Sequence, residues 1–178
     1  MTTPNPILDT ALELHDAGYS VLPIRADGTK SPAVAWKPYT QQRATLAQVH
    51  AWFDQPGYDL AVVQGAVSGG AELTELEGRA VSELATLRAL AVDTGLGDLW
   101  SRIVTGWTET SPSGGFHFHA RLDGAPVPGN TKLAKAEDRL VLAETRGEGA
   151  TSSSPPPPTT TPAAPGCACP AAPPPPRS

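Results

Sequence analysis

The chain has 178 residues, a formal net charge of −5 and 39% hydrophobic residues, which suits one domain and excludes a surface coated in positive charge for duplex DNA. Both cysteines, Cys167 and Cys169, lie near the C-terminus, so the body of the chain does not depend on disulfides, and a lone C-x-C makes a poor zinc site. No charged-then-apolar leader opens the sequence, and no apolar run approaches the roughly 18–20 residues of a membrane span, so a cytoplasmic protein without membrane association is expected.

Asn5-Pro6 ahead of Ile7, Leu8, Ala11, Leu12 and Leu14 predicts a capped first helix closing at Gly18. Tyr19 to Ile24 reads as a short buried strand, and "DGTKSPAVAW" as a loop dense in turn residues that carries Lys30, Pro32 and Trp36. Thr45 and Gln48 have capping-box spacing and open a second helix through Trp52-Phe53. "YDLAVVQG" is a second buried strand, ending at Gly65, and the turn Ser68–Gly70 leads into the strand "AELTELEG". Ala80, Leu84, Leu87 and Ala91 recur at helical spacing and predict a third helix ending near Gly95, whereas Leu99 to Val104 fits helix or strand. "SPSGG" is a tight turn, "FHFHARL" alternates as a strand, "DGAPVPGN" is loop, and "DRLVLAETRG" is a final strand. This mixture of helices and strands predicts an α+β or mixed α/β fold.

Residues 1–149 form the foldable body, and the segment 150–178 stands apart. Thr151 to Ser178 hold 11 of the 20 prolines and no Val, Ile, Leu, Met, Phe, Trp or Tyr. Such a segment cannot bury enough apolar surface to offset its ordering entropy, so it is expected to be disordered. Two origins fit it: a genuine Pro-rich linker, or a frame-shifted reading of GC-rich DNA. The second is preferred, because codons for Ala150-Thr151-Ser152-Ser153-Ser154 read one base upstream permit glycine, tyrosine and three aliphatic or phenylalanine residues. The expectation is then a domain truncated before its last strands, with an unprotected sheet edge beside Glu144.

Three short stretches carry candidate chemistry. In "LTELEG", strand alternation puts Glu75 and Glu77 on one side, about 6.5–7 Å apart at their Cα atoms, where they could converge on hard divalent cations. In "SPSGGFHFHAR", a turn of Ser113, Gly114 and Gly115 offers backbone N–H groups to an anion, and His117 shares a strand face with His119 and Arg121. In "LVLAETRGEG", Glu144 and Arg146 share a face with Leu140 and Leu142. Each taken singly is better explained as a solvated strand face, a water-facing hairpin or an exposed ion pair worth little. Their order argues otherwise: acid-x-acid, then Gly-Gly-x-His, then acid-x-Arg supplies the carboxylates and cationic donors that two-metal phosphoryl transfer requires.

With these motifs, the sequence resembles the bifunctional DNA primase/polymerase N-terminal (Prim-Pol) domain of the archaeo-eukaryotic primase superfamily, in its actinobacterial and actinophage form. The resemblance runs from the first helix to Gly149 through "ALELHDAGYSVLPI", "GTKSPAVAWKPYTQ", "LAQVHAWF", "LAVVQGAVSGG" and "PSGGFHFHARLDGAPVPGNTKLA". It implies an α+β primase-polymerase fold, an RRM-like palm whose mixed sheet is flanked by helices. It also implies Glu75, Glu77 and Glu144 as catalytic metal ligands for Mg²⁺ or Mn²⁺. His117 and Arg146, with Ser113, Gly114, Gly115 and Lys132, become nucleotide or template contacts. The implied partners are nucleoside triphosphates, a single-stranded DNA template and a replicative helicase on a separate chain. Where the superfamily favours aspartate in its first motif, this chain has Glu75 and Glu77, whose extra methylene alters reach and rotamer freedom. Two other readings compete with a replicative nucleotidyltransferase. One is a truncated relative that binds nucleotide without catalysis; the other is an interaction module with a polyproline tail.

Overall fold

The computed structural model describes residues 4–111 and 113–153. Its elements in chain order are α1 (Pro6–Asp16), β1 (Ser20–Arg25), α2 (Leu46–Phe53), β2 (Tyr58–Val63), β3 (Ala71–Leu76), α3 (Leu84–Asp93), α4 (Gly97–Thr105), β4 (Trp107–Thr110), β5 (Phe116–Arg121), β6 (Thr131–Lys135), β7 (Val141–Arg146) and β8 (Thr151–Ser153). The early helices form where local signals place them. Asn5 caps α1 by accepting from Leu8 N at 3.2 Å, and the Thr45–Gln48 capping box of α2 closes in both directions. The chain leaves α1 through Gly18 at φ 90°, a left-handed turn that a side chain would disfavour.

The strands divide into two antiparallel sheets, one of three strands in the order β1-β2-β8 and one of five in the order β4-β5-β3-β7-β6. Each sheet buries one face under its own helices. Ala11 and Leu14 of α1 and Val49 and Phe53 of α2 pack with Val21, Leu60 and Val62 of the three-stranded sheet. Leu84 and Leu87 of α3, with Ile103 and Val104 of α4, cover Leu76, Phe118 and Ala143 of the five-stranded sheet. The architecture is α+β, as the sequence implied, with the strands in two antiparallel sheets rather than one mixed sheet. Among the described residues no helix is long and apolar enough to cross a membrane.

The structure refines some of these expectations and corrects others. The third helix begins as a 3₁₀ turn over Gly78–Glu83 and becomes α-helical only at Leu84, while the ambiguous Leu99–Val104 lies in α4. The strands β4 and β6 escaped notice; β6 is fully exposed, so it has no apolar face to betray it. The strand that carries Glu144 is not an edge, because β7 lies between β3 and β6. Finally, the segment set aside from residue 150 starts by folding. Thr151, Ser152 and Ser153 pair with Val63, Val62 and Ala61, and Ser152 Oγ accepts from Gln64 Nε2 at 2.8 Å. Sheet pairing uses backbone groups that every non-proline residue owns, so a hydroxyl-rich trio can supply a strand. The rest of that segment, 154–178, with both cysteines and most of the stretch read as frame-shifted, lies outside the described residues.

Candidate active site

Strand register, rather than closeness in sequence, builds the site. β3 is the middle strand of its sheet, and Glu75 is the register partner of His117 on β5 and of Glu144 on β7. Partners across antiparallel strands share a face with Cβ atoms about 4.5–5.5 Å apart. One carboxylate therefore meets an imidazole on one side and a second carboxylate on the other. Arg146, opposite Leu73, reaches diagonally across this row. Its Nε donates to Glu75 Oε2 at 3.1 Å, and its Nη2 stands 3.1 Å from the same oxygen and 2.6 Å from Glu144 Oε1. Like charges placed directly opposite destabilise a sheet, so the guanidinium between them offsets a repulsion that the register imposes.

The carboxyl of Glu75 is accordingly held low, at about 2 against an ordinary 4.5. The His117 imidazole is the largest cause; partial burial opposes it, and the Arg146 guanidinium adds to it. His117 Nε2 lies 3.6 Å from Glu75 Oε1, a contact longer than a hydrogen bond, so the closer Arg146 contacts define the geometry.

Behind His117 stands a residue that sequence reasoning missed. Glu109 on β4 is 7% exposed, and its Oε2 lies 4.0 Å from His117 Nδ1 and 3.4 Å from His119 Nε2. Trp107 Nε1 donates to Glu109 Oε1 at 2.9 Å, and the Trp107 ring stacks on His119 with centroids 3.9 Å apart. His117 is thus set between two carboxylates, Glu75 ahead and Glu109 behind. A signal for this existed: folding "WTETSPSGGFHFH" about its turn as a hairpin sets Glu109 opposite His117 and Trp107 opposite His119.

Among the described residues the other sequence candidates make no side-chain hydrogen bond or ion pair to this row. Glu77 lies one residue beyond β3, where its N–H donates to Leu142 O at 2.9 Å and its residue leads into the 3₁₀ turn. In the Ser113–Gly115 turn, Gly114 N donates to Ser111 O at 2.9 Å and Gly115 N to Ser111 Oγ at 3.0 Å, so those two donors serve the turn itself rather than an anion. The glycine at 115 has a packing reason: a Cβ there would stand 2.0 Å from Leu76 O and 2.8 Å from Gly78 N. The glycine motif thus lets the hairpin turn press against the end of the acid-x-acid strand. Lys132 on β6 is the register partner of Glu144 and is exposed.

In front of the row lies a cavity of roughly 230 Å³ between the two sheets. Leu73, Glu75, His117 and Arg146 line it from the five-stranded sheet; Ile24, Lys30, Ala61 and Thr151–Ser153 line it from the other side. Among the described residues no group of three or more His, Cys, Asp or Glu is gathered as a metal site. The facing pair Glu75 and Glu144 does suit a hard divalent cation, since both offer carboxylate oxygens on one face. In this arrangement Arg146 bridges the pair and offsets one of its two charges.

A family model described as bifunctional DNA primase/polymerase, N-terminal, matches residues 11–176. No curated protein matches the chain at a significant level. The match spans most of the chain, so the protein belongs to this family, and its function is of the DNA primase/polymerase type.

Proposed function

We propose that this family member carries out metal-dependent nucleotidyl transfer, extending or starting a nucleic-acid strand on a single-stranded DNA template with a nucleoside triphosphate as donor. The observation that carries the reading is the row across β5, β3 and β7, in which Glu75 faces both His117 and Glu144 while Arg146 spans the two acids. Cations and carboxylates are thereby interleaved on one wall of a cleft, as binding of a polyphosphate together with its counter-cation requires.

Glu75 and Glu144, with Glu77 from the end of β3, would hold Mg²⁺ or Mn²⁺. The ion, when bound, supplies Lewis acidity for the attacking hydroxyl and the leaving pyrophosphate. His117 and Arg146 hold phosphate oxygens, and the Arg146 guanidinium opposes the charge that develops on the leaving group. Glu109 and Trp107 fix the His117–His119 pair in place. Gly115 keeps the turn close to the acidic strand and Gly114 supplies its left-handed φ of 81°, while Ser113 and Lys132, both exposed, are assigned to the template side.

The test is incorporation of labelled dNTP or NTP on primed and unprimed single-stranded templates with Mg²⁺ or Mn²⁺. Incorporation that disappears in the double variant Glu75→Ala/Glu77→Ala supports the assignment; incorporation that survives it removes these acids from catalysis. A second reading, a nucleotide-binding relative without catalysis, is favoured by one observation: Arg146 engages both carboxylates at once. Nucleotide binding without incorporation under every metal condition would select it.

A further inference from the structure

We propose that Lys30 is a phosphate contact for the incoming nucleotide, reaching it from the wall of the cleft opposite the acidic row. The inference rests on the nucleotidyl-transfer reading above and adds a cation that the five-stranded sheet does not supply. Lys30 lines the same cavity as Glu75, His117 and Arg146, but it comes from the connection after β1.

That connection is a closed hairpin rather than a loose arm. Arg25 N donates to Ser31 O and Ala33 N to Pro23 O, each at 2.9 Å, and Ile24 bridges Pro32. Asp27 Oδ1 accepts from Thr29 N at 2.9 Å and from Thr29 Oγ1 at 2.6 Å, which fixes the bend.

Within this hairpin Lys30 has φ 56°, in the left-handed region. A residue with a Cβ costs free energy there, and glycine would remove the cost. The side chain gives the position its purpose only if the cation is used. Among the described residues Lys30 enters no ion pair, whereas Arg146 is already bound to two acids. An exposed, unshared cation that lines the same cavity as an imidazole and a guanidinium suits a multiply charged anion bound there.

The volume of roughly 230 Å³ is below the ~300–1,000 Å³ of ordinary small-molecule sites. It suits the phosphate arm of a nucleotide, with the base and sugar outside it. The ligand class is therefore the polyphosphate of a nucleoside triphosphate, not the backbone of the template.

Titration calorimetry on the full chain in Mg²⁺ tests this, with a dNTP and inorganic triphosphate as separate probes and a single-stranded oligonucleotide as control. Replacing Lys30 with glycine should weaken both triphosphate probes about tenfold, the loss of one charge-assisted contact. Lys30→Arg should keep most of the affinity. The glycine variant should melt no lower than wild type, since it relieves the backbone, so weakened binding is not misfolding. Triphosphate affinity unchanged in Lys30→Gly while His117→Ala weakens it would overturn the role of Lys30 and leave the nucleotide reading intact. Loss of oligonucleotide affinity alone would also overturn it, by assigning the cation to the template. No triphosphate binding by wild type would refute the nucleotide reading itself.

Discussion

Replacing Arg146 by alanine tests the physical basis of the site most directly. The register puts Glu75 and Glu144 opposite one another, and two carboxylates about 5 Å apart at an effective dielectric near 20 repel by about 3 kcal/mol, a repulsion already present in the wild type that the attraction of the Arg146 guanidinium offsets. The variant also loses the charge-assisted hydrogen bonds of the guanidinium, worth about 1.5–3 kcal/mol. The Arg146 side chain is 36% exposed, so solvent and salt screen both terms. A net destabilisation of about 2–3 kcal/mol is expected at pH 7 and low salt, read by urea unfolding followed through tryptophan fluorescence.

The pH dependence fixes the sign. The Glu75 carboxyl sits at about 2 when folded against 4.5 ordinarily, so its contribution is fully present above 4.5 and fades as pH falls toward 2. Alanine at 146 forfeits the Arg146 share of that contribution and leaves the larger His117 share, so the stability gap between variant and wild type should shrink as pH falls through the same window. Adding Glu144→Gln to the variant should restore most of the lost stability at pH 7. Mg²⁺ or Mn²⁺ should raise the melting temperature of Arg146→Ala more than that of wild type, because the carboxylate pair is released for the ion. Equal stability of the two proteins at pH 7, or a gap that does not change with pH, would refute the reasoning.

Other perturbations reach the supports of the site. Gly115→Ala forces a Cβ to 2.0 Å from Leu76 O, backbone that cannot step aside, and should cost upward of about 3 kcal/mol or prevent folding, as seen by circular dichroism. Glu109→Ala leaves Trp107 Nε1 and His119 Nε2 without their shared buried partner, so a loss of about 1–3 kcal/mol is expected, with a smaller loss for Glu109→Gln. Ser152→Ala removes the acceptor for buried Gln64 Nε2 and should cost about 1 kcal/mol, measured as a fall in the urea midpoint; no change would mean that β8 adds nothing to the first sheet.

The residues that sequence alone singled out are those whose signals are local. Asn5 and Thr45 mark helix starts because a cap is decided within four residues, and β1 and β2 announce themselves as short apolar runs. Glu75, His117, Glu144 and Arg146 stood out through strand alternation and through their order along the chain. Their mutual distances could not be read there, because register joins strands about 40 and 70 residues apart and depends on the whole sheet. For the same reason only the tertiary structure placed Arg146 across two acids, gave Gly115 a packing role, put Glu109 behind His117, and enlisted Thr151–Ser153 as a strand. Lys30 belongs with these: its sequence neighbours predict a loop, and only the meeting of two sheets turns that loop into a wall of the cleft. Local backbone preference and hydrophobic period are properties of a few consecutive residues, while a site made from four strands is a property of their packing.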